Sequence, residues 1–189
     1  MLDKVTIKYN YELTGAAIYK ELELKHMEIA NRIIKAKEEC ASDIKQRTAE
    51  LEEVNVAVRE AAAQGDRSEN AEYTSAIEKR ADLVKELNRL NERQRAFESY
   101  MSRSETSEYG GTYCLIKTGG ATTYFCTLVP SAIGDRNIGA LSDASPIGIA
   151  LLNYENSSSK SEEIAVQVED KTIMYKVYKY SSSEVSNGA

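Results

Sequence analysis

The sequence predicts an α+β protein in two parts. The first, residues 1–104, is a long antiparallel α-helical coiled-coil hairpin; the second, residues 105–189, is a small α+β domain with a mostly antiparallel sheet. Three observations carry this expectation. Apolar residues recur at spacings of three and four from Ile18 to Val58 and again from Tyr73 to Met101, the period of a helix with one buried face. Gly65 breaks the pattern between the two runs, where the chain must reverse. After Ser104 the period changes to two, with β-branched and aromatic residues that mark strands.

Composition narrows the function classes. The formal net charge is −6 and both parts are acidic, so broad adhesion to nucleic acid or to an anionic membrane is disfavoured, and any nucleic-acid contact must be local. Cys40, Cys114 and Cys126 are odd in number and show no CxxC spacing, so reduced thiols are expected rather than a disulfide framework or a zinc site. The chain has no secretory opening and no run of about 18 apolar residues. A cytoplasmic protein without membrane association is the expectation.

In chain order, Val5 to Tyr11 alternates apolar and polar residues, as a short strand or an extended arm would. Thr14 is a candidate N-cap. The first helical stripe then runs through Ile18, Leu22, Ile29, Ile33, Ala36, Cys40, Ile44, Leu51, Val54 and Val58. No Gly or Pro interrupts residues 16–64, and one continuous helix over that span would be about 70 Å long. The lone His26 falls near the stripe and reads as a half-buried helix residue, since no second His exists to share a metal. The second stripe is Tyr73, Ile77, Val84, Leu87, Leu90, Phe97 and Met101. The first arm is the longer, which leaves Ile18 to Ala36 without a partner in a simple hairpin. That stretch must fold back, pack on the second domain or meet another chain.

A polar linker, Ser102 to Ser107, precedes the strands. Tyr113 to Ile116 and Thr122 to Val129 flank a Thr118-Gly119-Gly120 hairpin signal, and Ile138 to Ser142 is a third candidate strand. Ser145-Pro146 opens a short helix with Pro at its first position and Ile147, Ile149, Leu151 and Leu152 expected inward. A final hairpin, Ile164 to Glu169 and Thr172 to Tyr180, turns at Glu169-Asp170-Lys171, and the tail from Ser181 is expected to fray.

The chemistry-bearing stretch is Gly65-Asp66-Arg67-Ser68-Glu69-Asn70-Ala71-Glu72-Tyr73, at the bend. By spacing alone, Asp66-x-x-Glu69 fits a capping box, and both acids favour a helix N-terminus. Their position at the end of a rod, remote from any core of this chain, allows a second reading. Two carboxylates make a poor metal site by themselves, but they complete one offered by a partner.

This stretch, with its contiguous Ser-Glu-Asn-Ala-Glu-Tyr, resembles the tip motif of bacterial Gre-family transcript cleavage factors. Leu141-Ser142-Asp143-Ala144-Ser145-Pro146-Ile147, followed by an apolar helix and a closing hairpin, is similar to that family's C-terminal FKBP-like domain. The similarity spans about residues 45–180. It implies RNA polymerase as partner, a coiled coil inserted into the polymerase's secondary channel, and a C-terminal domain that grips the polymerase. Asp66 and Glu69 match the two tip acids, which help hold a Mg2+ shared with the polymerase during cleavage of the RNA 3′ end extruded by backtracking. No metal is expected on the isolated chain. The factor would be an accessory and not an enzyme by itself, and a monomer is expected.

Arg67, Ser68, Asn70 and Tyr73 are candidates for positioning the tip, with packing as the alternative for Asn70 and Tyr73. Ser145 and Pro146 are candidates for a polymerase contact, with a helix-start role as the alternative. Lys79, Arg80 and Lys85, with Arg89 and Arg93, are RNA-contact candidates; pairing with Glu78, Glu86 and Glu92 on a solvated face is the other reading. Arg67 stands where the family usually has an apolar residue, and the first arm is longer than the family's pattern. The competing functions are a secondary-channel inhibitor without cleavage activity and a coiled-coil dimerisation module. A prolyl isomerase does not follow from the fold alone.

Overall fold

The structure, a computed structural model, describes residues 15–63, 71–102, 109, 111–120, 122–158 and 161–180. The expected arm at Val5 to Tyr11, the Thr14 cap, most of the polar linker and the tail from Ser181 lie outside the described residues. The element order is α1 (Gly15–Ala63), α2 (Ala71–Met101), β1 (Thr112–Lys117), β2 (Thr123–Val129), β3 (Ala140–Ser142), α3 (Pro146–Asn156), β4 (Glu163–Val168) and β5 (Lys171–Tyr180). The α+β class and the two long N-terminal helices are as the sequence predicts. The chain forms two compact units, one of residues up to Ile34 together with those from Glu98 onward, the other from Lys35 to Phe97.

The unit from Lys35 to Phe97 is an antiparallel helix pair. Cys40, Val54 and Ala61 of α1 and Leu83, Leu87, Leu90 and Phe97 of α2 are its buried residues. Three polar contacts fix the register. The Cys40 thiol donates to the Leu90 carbonyl at 3.6 Å. Arg47 Nε lies 3.3 Å from a Glu86 carboxylate oxygen, and Arg80 Nε donates to Asn55 Oδ1 at 2.8 Å. Each pair brackets residues 64–70, which lie outside the described residues, from nearly equal distances along the chain. The stripe on α2 differs from the expected one by a step. Leu83 is buried, whereas Val84 and Ile77 are exposed at 37% and 36%. Leu83, Leu87, Leu90 and Phe97 keep the alternating four-and-three spacing of a seam, which Val84 does not.

The other unit is a five-stranded sheet, ordered β3-β2-β1-β5-β4, with a helix on each face. Three of its pairings are antiparallel, and the short β2–β3 pairing at one edge is parallel, so the sheet is mixed rather than wholly antiparallel. On one face Tyr113, Leu115, Cys126, Leu128, Ile164, Val166, Tyr175 and Val177 pack against Leu151 of α3. Ile149, expected inward, is half-exposed, and buried Gly148 takes its place.

On the opposite face lies the stretch of the first arm that the sequence left without a partner. Ile18 and Leu22 of α1 pack on Cys114, with Ile116, Phe125, Tyr178 and Tyr180 around them. Further along, the helix passes Gly139, whose left-handed φ of 81° caps a short 3-10 turn. A Cβ there would stand 2.9 Å from Ile29 Cγ1. Half-buried His26 joins the sheet through a polar chain: its Nδ1 is 2.9 Å from Thr112 Oγ1, which is 2.7 Å from Thr127 Oγ1. The imidazole also tilts over Tyr180, with ring centroids 5.2 Å apart. Both threonines are buried, and each hydroxyl is satisfied by the other.

Burial in this two-sided core pushes the Cys114 and Cys126 thiols up to about 12, Cys114 further raised by Glu21 and Cys126 by Cys114. Burial and the Glu155 carboxylate also raise the Tyr113 phenol, which donates to that carboxylate at 2.9 Å. Above a pH of about 9, the unfolded chain sheds its thiol protons while the folded chain retains them. The stability these groups confer is therefore full below that pH and is lost as pH rises towards 12. The slope is up to about 1.4 kcal/mol per pH unit for each thiol. Urea titrations at about pH 8.5 and pH 10.5 should show this loss, and Cys114→Ala with Cys126→Ala should flatten it. An equal loss in the double variant would remove the thiols as its cause.

Candidate functional site

α2 begins at Ala71, and its first turn carries Glu72 and half-buried Tyr73. Asp66, Arg67, Ser68, Glu69 and Asn70 lie outside the described residues, in the segment that joins α1 to α2. Among the described residues no group of three or more His, Cys, Asp or Glu side chains could hold a metal ion.

Behind Tyr73, Lys79, Arg80, Lys85 and Arg89 are exposed on α2, whereas Arg93 is half-buried. Arg80 is committed to Asn55 across the hairpin. The Lys79 ammonium acts on Glu50 of α1, whose carboxyl is held below its usual range chiefly by a hydrogen bond from Arg47, with smaller contributions from Gln46 and Lys79. Lys85 is exposed. Arg93 is turned away from such a role, its guanidinium 5.5 Å from the Phe97 ring centroid. The structure thus brings Lys79 and Arg80 to the side of the hairpin that faces α1, and assigns Arg80 a helix-pairing job that spacing did not reveal.

The second candidate region is the corner that joins β3 to α3. The Ser145 hydroxyl donates to the Ser142 carbonyl at 2.7 Å and accepts from the Gly148 amide at 3.1 Å. It is the N-cap of α3, and Pro146 occupies the first turn, where its missing N–H costs nothing. The helix-start role is therefore present. The Asp143 amide bonds the Val129 carbonyl at 2.9 Å, and Tyr109 donates to the Asp143 carboxylate at 2.7 Å. Pro146 and Ile149, one turn apart, are both exposed. Beside the corner opens a hollow of about 280 Å³ lined by Gly134, Asp135, Arg136, Leu141, Ser142 and Ser145.

Gly148 makes this corner possible. A Cβ at that position would fall 2.0 Å from the Ser142 carbonyl oxygen and 2.9 Å from Asp143 Cα, both backbone atoms. Gly148→Ala must push α3 off β3, so a loss of about 2 kcal/mol or more is expected in chemical denaturation. A variant as stable as the parent would contradict this close approach.

With this geometry in hand, the chain can be set beside known proteins. The N-terminal domain shared by transcription elongation factors of the GreA/GreB type matches residues 34–98, which span most of the helical hairpin. Transcription elongation factor GreA of Syntrophomonas wolfei is 28% identical over 131 residues, 68% of this chain and 80% of its own length. Transcription elongation factor GreA of Rhodospirillum rubrum is 31% identical over 106 residues, 54% of this chain and 68% of its own length.

The chain belongs to the GreA/GreB family of transcription elongation factors.

The crystal structure of GreA factor homolog 1 of Thermus thermophilus aligns with 76% of this chain and 94% of its own, at 18% identity and a TM-score of 0.31. In this GreA/GreB-family chain the matched region begins at residue 34, close to where α1 leaves the sheet-containing unit. The α1 segment that covers the sheet thus precedes the family match. Sequence reasoning left open what that segment meets, although one signal was present. Tyr113-Cys114-Leu115-Ile116 is apolar without alternation, as a strand covered on both faces is.

Proposed function

We propose that this chain binds RNA polymerase, inserts the end of its helical hairpin into the secondary channel and stimulates cleavage of backtracked RNA, acting as an accessory factor and not as an enzyme in itself. The observation that carries the proposal is the helix pairing. The contacts Cys40–Leu90, Arg47–Glu86 and Asn55–Arg80 pair two long helices antiparallel, and Asp66 and Glu69 lie between those helices in the sequence, which supports this reading. Family membership supplies the functional class.

Two carboxylates are hard oxygen donors of the kind Mg2+ takes, and they are too few to hold it alone, so a shared site fits the donor set. When bound there, Mg2+ supplies charge neutralisation and an activated water for phosphodiester cleavage. The work of this chain is delivery. Asp66 and Glu69 bring the negative charge, and the paired helices that flank them in the sequence carry it to the polymerase. Ser68, Asn70 and Tyr73 position the tip, and Arg67 adds a cation between the two acids in the sequence. Lys79 and Lys85 offer charge to the extruded RNA strand. Exposed Pro146 and Ile149, beside the hollow at the β3–α3 corner, form the surface offered to the polymerase, with the Ser145 cap holding it in shape.

The test is transcript shortening in stalled, backtracked elongation complexes incubated with Mg2+, with and without the protein. Shortening that depends on the protein supports the reading. Binding to the polymerase without shortening would instead make the chain a secondary-channel inhibitor.

A further inference from the structure

The first part of α1 carries a second apolar row. Leu24, Met27 and Ile34 are 57%, 60% and 45% exposed, and exposed Asn31 stands between the last two. Their spacing of three, four and three is that of a coiled-coil seam. At about 100° per residue, this row lies on the side of the helix opposite Ile18, Leu22, Ile29 and Ile33. Those four are buried, so the helix shows an apolar row on each side and the outer one has no occupant among the described residues.

We propose that the outer row is a docking seam for a second copy of this chain, the two α1 helices running antiparallel about a two-fold axis. The charges select both occupant and direction. When Leu24 faces Ile34 of the second copy, Met27 faces its Asn31, and one turn further out exposed Lys20 faces exposed Glu38. The two-fold axis repeats every pair, so each end of the seam closes on opposite charges. A parallel pairing would set Lys20 against Lys20, Glu38 against Glu38 and Glu23 near Glu28. From Lys20 to Glu38 the seam is about 27 Å long, shorter than a permanent dimer uses, so the association is reversible. The proposal goes beyond the polymerase reading and does not rest on it.

Sedimentation velocity of the full chain from about 1 µM to about 500 µM tests it, with the average mass expected to rise towards twice that of the monomer. Met27→Glu should keep the parent's circular dichroism and remain monomeric throughout; should it disturb the helix, Asn31→Glu at the neighbouring exposed position is read in its place. Lys20→Glu and Glu38→Lys should each weaken the dimer about fivefold, and their combination should restore it to within about twofold. A chain that stays monomeric over the whole range overturns the proposal. So does a dimer indifferent to Met27→Glu, which uses another surface, or one indifferent to the single charge swaps, which is not antiparallel. A chain lacking residues 1–13 that dimerises where the full chain does not would identify its own N-terminal segment as the occupant and also overturn it.

Discussion

Asp66→Ala combined with Glu69→Ala is expected to reduce stimulated transcript cleavage on the order of hundredfold or more while leaving binding to the polymerase within about threefold of the parent. The separation follows from the proposed division of labour, in which the acids serve the metal while affinity comes from the rest of the hairpin and from the exposed corner around Pro146 and Ile149. The described contacts of the helix pair, Cys40–Leu90, Arg47–Glu86 and Asn55–Arg80, involve neither residue. The capping reading of Asp66-x-x-Glu69 makes a different prediction. A lost N-cap costs about 1 kcal/mol of stability and leaves cleavage intact once protein is in excess. Single substitutions sharpen the distinction. Asp66→Asn retains a side-chain oxygen able to cap a helix but removes the charge. It should therefore melt like the parent and cleave like the double variant. Cleavage by Asp66→Asn at the parent's rate would leave Asp66 as a cap alone.

Much of the fold was legible because period and turn chemistry are local. The hairpin at Gly119, the Ser145-Pro146 helix start and the closing β4–β5 turn are all where their residue types place them. The errors have a common physical origin: each is a choice of phase or partner that local pattern does not determine. Leu83 and Val84 are adjacent and both apolar, so only the presence of α1 decides which is buried. α3 is apolar on nearly every side, which deprives its periodicity of direction, so residue type alone points Ile149 inward although it is half-exposed. Strand direction leaves no trace in a period of two, hence the parallel β2–β3 edge. The candidate site divides in the same way. Ser145 as a cap follows from residue type, whereas the role proposed for Asp66 and Glu69 comes from family resemblance and not from spacing. The attachment of Arg80 to Asn55 needed the register of two helices.

The packing of α1 on the sheet makes the strongest claim on stability, and two neighbouring leucines test it. Leu22 is fully buried beside Cys114, Tyr178 and Tyr180, whereas Leu24, two residues on, is 57% exposed. Leu22→Asp places an unpaired carboxylate in an apolar core and should cost about 4 kcal/mol or more, and Leu22→Ala about 2–5 kcal/mol through the lost side chain and the cavity it leaves. Leu24→Asp, measured at dilute protein, should stay within about 0.5 kcal/mol of the parent. The probe is dictated by composition. The chain has no Trp and 12 Tyr, so near-UV circular dichroism reads the tyrosines, and two of these lie in the cluster at issue. If α1 is packed as described, Leu22→Asp lowers the urea midpoint and diminishes the tyrosine signal together. If instead both aspartate variants unfold alike, the helix does not rest on that face of the sheet.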